Sequence, residues 1–445
     1  MNILTITALP AGGATYAAQR LHSALVEYGH ACTFACCDPV QPGHVALNYQ
    51  RPDATPFMSP LFRYWSTLST PETREQGACE LFSDTSTLLA SPALPDHIVE
   101  AADVVHLHWA SGILYSPGLF RLLRNKKLVW TLHDMNPFTG GCHYHVSCER
   151  YEHECGNCPL LAHPAPNDVS LQAHRFKRLL YRELDITMVS PSAWLADKAR
   201  RSPLFTGKKV AVIPNTHDTT LFAPRDRASL RSQYGVEKDT FIVLTGVESL
   251  DNPRKNIGCM VEAMEQFAQR RPHISFELVL FGAGGANLLA SFPTRHVGSL
   301  DAESLVDWYN MADVFVHPSR LDNLSNTLCE AQCCGTPVIS FDAGGSTEAF
   351  QDGETGFISG NQPQHLAEAL DRLLSSDMES LRQKARMFAM NRFNGKNIAQ
   401  RYTDIYEDDI INQEHHGMHG PADERLASNA MDGFLKVAPF DKPAP

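Results

Sequence analysis

No stretch of this 445-residue chain approaches the roughly 20 consecutive apolar residues that a membrane span needs. Positive charge is not in excess either. Lys and Arg number 38 against 50 Asp and Glu, and the net charge of −12 argues against bulk nucleic-acid binding. The opening MNILTITALP lacks a basic leader region and reads as a first strand, not a signal peptide, so a cytoplasmic protein is expected. In that compartment the 12 cysteines are expected as thiols or metal ligands, not disulfides. There is no internal repeat beyond two similar halves, and no Asp-x-Asp metal motif. A hydrophobic content of 43% with 20% charge is ordinary for a soluble enzyme of two or three domains.

What is present is strand–helix alternation, twice over, which is the pattern of an α/β protein. The most informative stretch runs from His317 to Glu348. An apolar strand stops at Pro318-Ser319, and Leu321 to Ser325 is turn-like. Asn326 is expected to cap a short helix over Thr327 to Cys334, ended by Gly335-Thr336-Pro337. A second strand then meets Gly344-Gly345 at its C-terminal edge, where open α/β sheets bind ligands. The free N–H groups of such a helix start suit a diphosphate. Glu330, one turn in, can accept from two neighbouring hydroxyls of a ribose, and Asp322 from a second polyol. The same residues also fit a capping loop followed by one solvated glutamate.

The stretch resembles the nucleotide-sugar site of retaining glycosyltransferases with the GT-B fold, family four, the glycosyl transferases of group 1. That family has two acidic residues eight positions apart, a Cys-Gly-Thr-Pro turn, and a Gly-Gly loop with a Glu beyond. Here these fall on Asp322, Glu330, Cys334-Gly335-Thr336-Pro337, Gly344-Gly345 and Glu348. The first acid is usually Glu, and Asn323-Leu324-Ser325-Asn326 replaces the commoner Phe-Gly. The departure bears on the identity of the donor sugar.

The resemblance implies two Rossmann-like domains facing across a cleft. It implies a metal-independent enzyme that moves a hexosyl group, with retention, from a UDP- or GDP-sugar to a hydroxyl of a glycan or lipid-linked acceptor. Cell-surface glycan or exopolysaccharide synthesis is the setting it suggests. Gly12 and Gly13, after the first strand, would line the cleft beside the donor phosphates. His133, at the end of the strand KLVWTLHD, would reach the reacting sugar, with Asp134 beside it and His108 as a second choice. Arg254 and Lys255 would grip the diphosphate with Asn326, Thr327 and Leu328 at the helix start; Asn256 stands where Gly is more usual. Glu330 would bind ribose and Asp322 the sugar hydroxyls. Two rivals stay open: a nucleotide-sugar epimerase of the same fold, and a non-catalytic homologue that acts as an assembly partner.

Two further features are local. Cys142, Cys148, Cys155 and Cys158 fall within 17 residues in an insertion over about 140–160, with His143, His145 and His153 near them. Cys-Gly-Asn-Cys resembles a zinc knuckle, so a structural zinc is one expectation; packed thiols or a redox pair are the others. Leu171 to Leu184 reads as a basic amphipathic helix, which suits either peripheral contact with an anionic membrane or plain solvation. The division expected is residues 1–205 for an acceptor domain and 206–392 for a nucleotide-sugar domain, with the crossing in the window 206–222. A helix over 393–411 returns to the first domain, and a tail follows over 412–445.

Overall fold

The computed structural model describes residues 1–37, 43–50, 91–110, 114, 119, 122–145, 147–285 and 290–416. The stretch 38–100, rich in Pro, Ser and Thr and read from the sequence as an irregular region over the acceptor side of the cleft, and the stretch 111–125, read as helical, lie largely outside these residues, as does the tail from 417.

In chain order the first half contains β1 (Asn2–Thr7), α1 (Gly13–Glu27), β2 (Ala31–Cys36), β3 (Val45–Ala46), β4 (Asn48–Gln50), β5 (Ser91–Ala93), α2 (Asp96–Glu100), β6 (Val104–Leu107), β7 (Lys127–Thr131), α3 (Val169–Arg182), β8 (Ile186–Ser190), α4 (Ala193–Arg201) and β9 (Val210–Val212). The second half contains α5 (Arg227–Gln233), β10 (Phe241–Ser249), α6 (Ile257–Arg270), β11 (Phe276–Ala283), β12 (Thr294–Gly298), α7 (Ala302–Met311), β13 (Val314–His317), α8 (Asn326–Cys333), β14 (Val338–Phe341), β15 (Gly356–Ser359), α9 (Pro363–Leu374), α10 (Met378–Phe393) and α11 (Gly395–His416).

Two parallel sheets result. The first has seven strands in the order β3-β2-β1-β6-β7-β8-β9, and the second has six in the order β12-β11-β10-β13-β14-β15. Each order reverses direction once, between β1 and β6 and between β10 and β13, and ligands of such sheets bind at those switch points. β4 and β5 form a separate antiparallel ribbon. Continuous apolar strands are buried on both faces, as parallel sheets require. Leu4, Val105, Leu128 and Met188 face one core of the first domain, and their neighbours Ile3, Val104, Val129 and Val189 face the other. The second domain repeats the device. Val243, Leu278 and Val316 enter one core, and Ile242, Val279 and Phe315 the opposite one.

The expected return helix is α11. Ile398, Ala399, Tyr402 and Tyr406 pack into the first domain beside Ile3, Leu21 and Val104. Tyr402 hydroxyl lies 2.8 Å from Thr131 Oγ1, and Tyr406 hydroxyl 2.7 Å from His106 Nδ1. One boundary moves. β9 pairs in parallel with β8, so the first sheet extends past the division at 205 and the crossing follows Val212. Three residues of edge strand are too short for a sequence period to assign them to one sheet. Among the described residues no helix is long and apolar enough to cross a membrane.

Candidate active site

The C-terminal edges of the two sheets border a cleft of about 1510 Å³, lined from both domains. On the second domain, β13 ends at His317 and the following loop carries Asp322 back toward β14. That loop is stapled at its base. Gly345 N–H donates to Asp322 carbonyl at 2.9 Å, and a Cβ on Gly344 would sit 2.0 Å from the same oxygen, so only glycine fits.

Asp322 is the electrostatic centre. Lys255 Nζ lies 2.6 Å from Asp322 Oδ2, and Arg254 Nη1 lies 3.2 Å from Oδ1. His317 Nε2 is 3.3 Å away. Burial alone would raise the Asp322 carboxyl, but Lys255 and then Arg254 outweigh it and hold the group well below the ordinary carboxylate range. Burial lowers Lys255, against the pull of Asp322. Asn252 starts the short 3₁₀ turn that carries both cations, and its side chain accepts from Arg254 N–H at 3.0 Å. Asn256 then adopts φ 56° and ψ 37°, a left-handed conformation, before α6 begins. That is the physical reason glycine is common at this place and asparagine is tolerated.

α8 begins one residue earlier than expected. Ser325, not Asn326, occupies the cap position, and its side chain makes no capping hydrogen bond to the helix. The first N–H groups of α8 are therefore not answered by their own cap. Asn326 and Thr327 line the cleft. Leu328 does not; its side chain is fully buried in a core of the second domain, so only its backbone could serve a ligand. Asn326 Nδ2 donates to Gly13 carbonyl at 3.1 Å, which joins two predicted donor-binding residues from opposite domains. Gly12, with φ 109°, supplies the left-handed turn before α1, again without a side-chain cap.

Glu330 points into the cleft from one turn within α8. Arg20 Nη2, from α1 of the first domain, lies 2.6 Å from Glu330 Oε1, and Tyr309 hydroxyl donates to Oε2 at 3.3 Å. Arg20 Nη1 also donates to His217 Nδ1 at 3.0 Å. The carboxylate assigned to ribose thus meets a cation from the facing domain.

On the first domain, His133 lines the cleft just past β7. Its Nε2 is 2.9 Å from His108 Nδ1. Burial pushes the His133 imidazole down to about 4, although Asp134 acts in the opposite direction. Asp134 is turned toward its own domain. It accepts from His143 Nδ1 at 2.7 Å, Trp109 Nε1 at 3.1 Å and Asn136 N–H at 2.8 Å.

Among the described residues no group of three or more His, Cys, Asp or Glu side chains is placed to hold a metal ion, so the zinc expectation on Cys142, Cys148, Cys155 and Cys158 finds no support. Burial raises the Cys142, Cys155 and Cys158 thiols, Cys155 to about 12, which keeps those three protonated. Cys155 Sγ instead accepts from Gly140 N–H at 3.2 Å. The insertion reaches the site through Tyr144. The Arg254 guanidinium stands 4.6 Å from the Tyr144 ring centroid, and Tyr144 hydroxyl is 3.4 Å from Asp322 Oδ1. In α3, Lys177 is buried and donates to the carbonyls of Asn136 at 2.6 Å and Thr139 at 3.1 Å, which removes one cation from the expected basic face.

Sequence reasoning missed Arg20, Tyr144 and Asn323. Asn323 Nδ2 donates to His133 carbonyl at 3.2 Å, and Ser192 hydroxyl donates to Asn323 Oδ1 at 2.6 Å. The only prior signal was at Asn323, one of the four residues that depart from the usual Phe-Gly.

Residues 241–376 match the family model described as glycosyl transferases group 1. The second domain is a group 1 glycosyltransferase domain. Curated relatives match parts of the chain. A D-inositol 3-phosphate glycosyltransferase of Paenarthrobacter aurescens is 34% identical over 37% of this chain and 43% of its own length. Another, from Acidothermus cellulolyticus, is 29% identical over 49% of this chain and 51% of its own length. The chain thus spans about half the length of these curated relatives. A glycosyl transferase of Escherichia coli, assigned provisionally to colanic acid biosynthesis, is 26% identical over 68% of this chain and 75% of its own length. Among solved structures, sucrose-phosphate synthase of Thermosynechococcus elongatus superposes with a TM-score of 0.65 at 21% identity, covering 92% of this chain and 98% of that one. HepE of Anabaena in complex with UDP-glucose gives 0.59 at 17% identity, covering 92% and 100%. These likenesses establish the fold: the group 1 domain and its partner form a GT-B architecture.

Proposed function

We propose that the protein is a retaining, metal-independent glycosyltransferase. It moves a hexosyl group from a nucleoside diphosphate sugar to a hydroxyl of a glycan or lipid-linked acceptor in cell-surface polysaccharide synthesis. The observation that carries this reading is the convergence of Arg254 and Lys255 on Asp322 beside the uncapped start of α8, with Glu330 one turn further on. A diphosphate entering there meets two cations and the N–H groups of Asn326 and Thr327. It competes with Asp322 for the cations and releases that carboxylate toward the sugar hydroxyls. The ribose replaces Arg20 as the partner of Glu330. The relative assigned provisionally to colanic acid biosynthesis and the UDP-glucose complex of a neighbour of the same fold fit such a donor and setting.

As the bond from the anomeric carbon to the phosphate oxygen breaks, charge grows on the departing diphosphate, and fixed cations there lower the barrier. The acceptor oxygen bonds to the anomeric carbon on the face the phosphate leaves, and its proton passes to a phosphate oxygen. Retention by this route needs no protein nucleophile, unlike the paired carboxylates of retaining glycosidases. Closure of the two domains excludes water. Whatever basic surface α3 retains would meet the anionic surface that carries a lipid-linked acceptor.

Calorimetric titration with UDP- and GDP-sugars tests donor binding, and turnover in the presence of a chelator tests metal independence. NMR of the first-formed product reads the anomeric configuration. An inverted product, or no binding of any nucleotide sugar, would overturn the reading. Release of a free sugar isomer without acceptor would favour an epimerase instead.

A further inference from the structure

Behind His133 lies a column of three histidines. The His106 and His108 rings stand 4.4 Å apart by centroid, and those of His108 and His133 are 5.2 Å apart at 25°. His106 is fully satisfied, with Tyr406 hydroxyl at 2.7 Å on Nδ1 and Thr131 Oγ1 at 2.8 Å on Nε2. His108 is not. Its Nδ1 meets His133 Nε2 at 2.9 Å, but its buried Nε2 has no hydrogen-bond partner among the described residues.

Burial holds His108 well below its ordinary range and His133 near 4, so both are neutral at pH 7. A neutral imidazole carries one N–H and one lone pair. Two arrangements satisfy the contact between them. In the first, His108 carries its proton on Nε2, Nδ1 accepts from His133, and a buried N–H is left without an acceptor. In the second, His108 Nδ1–H donates to His133 Nε2, and only a lone pair is left unanswered at His108 Nε2. Orphaned buried N–H groups are rarer than orphaned acceptors and cost more. The second arrangement follows. It places the proton of His133 on Nδ1, which makes no hydrogen bond to a described residue while the ring lines the cleft.

We infer that His108 is a positioning residue that fixes the tautomer of His133, so that His133 presents an N–H, and not a lone pair, to the cleft. The inference rests on the proposed glycosyl transfer only for what that N–H would meet, an oxygen of the donor sugar or of the departing phosphate. A donor stabilises charge that develops on oxygen. It cannot collect the acceptor's proton, which therefore goes to the phosphate. The crossing helix α11 supports the column through Tyr406, so the second domain's last helix anchors the first domain's reactive edge.

The test is ¹⁵N–¹H correlation of histidine-labelled full-length protein at pH 7, with His133 assigned by its loss in His133→Gln. The expected wild-type spectrum shows His133 protonated on Nδ1. His108→Phe keeps a ring and removes the donor. His133 should then shift toward the Nε2–H form, and kcat should fall roughly tenfold while the donor KM changes little. His108→Asn places an amide N–H where Nδ1 stood, and should keep the Nδ1–H form and most of the activity. Wild-type protein with His133 protonated on Nε2 would overturn the inference, as would a His108→Phe variant that keeps Nδ1–H. Should His108→Phe fail to fold, the wild-type and His108→Asn spectra decide. The spectra need no turnover, so failure to transfer any sugar would sink the proposed function and leave the tautomer result standing.

Discussion

A carboxylate held by two cations, and a second held by a cation from the facing domain, show how much of this site is charge placement. Glu330→Ala should weaken nucleotide-sugar binding by about 1.5–3 kcal/mol, the range for hydrogen bonds to a charged group. The helix should survive, since Glu330 lies inside α8 and does not cap it. Titration calorimetry reads the change, and an unaltered affinity would remove Glu330 from the site. Arg254 and Lys255 should act chiefly on the transition state. Each alanine variant should cut turnover about a hundred- to a thousandfold, with KM moving less. Arg254→Lys should recover only part of the loss. The native guanidinium lies over the Tyr144 ring and also donates to Leu321 carbonyl at 2.9 Å, and a point charge cannot make both contacts. Near-normal kcat with a raised KM would mean that these cations only steer the donor. At this scale the sequence was informative wherever a residue type is required locally. Asp322, Glu330, Arg254 and Lys255 all reach the cleft. It was silent on Arg20 and Tyr144, because a lone arginine on a helix and a tyrosine in a cysteine-rich loop carry no periodic signal of a partner far along the chain.

Asp168, Ser192, Asp226, Asp301 and Asp377 each cap their own helix with a side-chain oxygen. Several helix starts lack a side-chain cap, α2, α6 and α9 among them, and two of the uncapped starts, α1 and α8, open on the cleft. A cap there would occupy the N–H groups an anion needs. α4 is capped from within and from across the cleft. Glu348 accepts from Ala193 N–H and Trp194 N–H, both at 2.9 Å, so a carboxylate of the second domain neutralises a helix start of the first. Glu348→Ala should cost about 1 kcal/mol in urea unfolding, the usual scale for a lost cap. It should also widen the cleft, seen as a larger radius of gyration in solution scattering. No change in either would show that Glu348 does not hold the two domains together. Several elements were legible within one or two residues, α8 and the start of α3 among them, because apolar runs and helical stripes are local; the return helix, expected over 393–411, runs on to His416. α3 starts at Val169, earlier than its stripe suggested, because Asp168 caps it there. β9 was misplaced because three half-buried residues have no pattern of their own.

For the molecule as a whole, acid should be the sensitive condition. Burial lowers His22, His133 and His174 to about 4 and His106 to about 3. A group whose folded pKa lies below its unfolded value takes up a proton on unfolding. Stability therefore falls as pH drops below about 6.5, down to the folded values. Asp322, held far below the carboxylate range, adds a second loss only at lower pH, as pH falls through its folded pKa. The pH dependence of urea unfolding near pH 5 should correspond to uptake of about three or more protons. A flat profile between pH 7 and 5 would contradict the buried, neutral state of these rings, the column behind His133 included.

The sequence alone determined the α/β class, the two halves, the last helix and the acidic and basic side chains that line the cleft. Each of these is written in short-range periods or in a motif a few residues long. Tertiary structure decided the rest: the pairing of Glu330 with Arg20, the support of Arg254 by Tyr144, the tie from Asn323 to the end of β7, and the column that orients His133. These contacts join residues from about 25 to 310 positions apart. Burial and the meeting of two domains create them, and both arise only when the whole chain has folded.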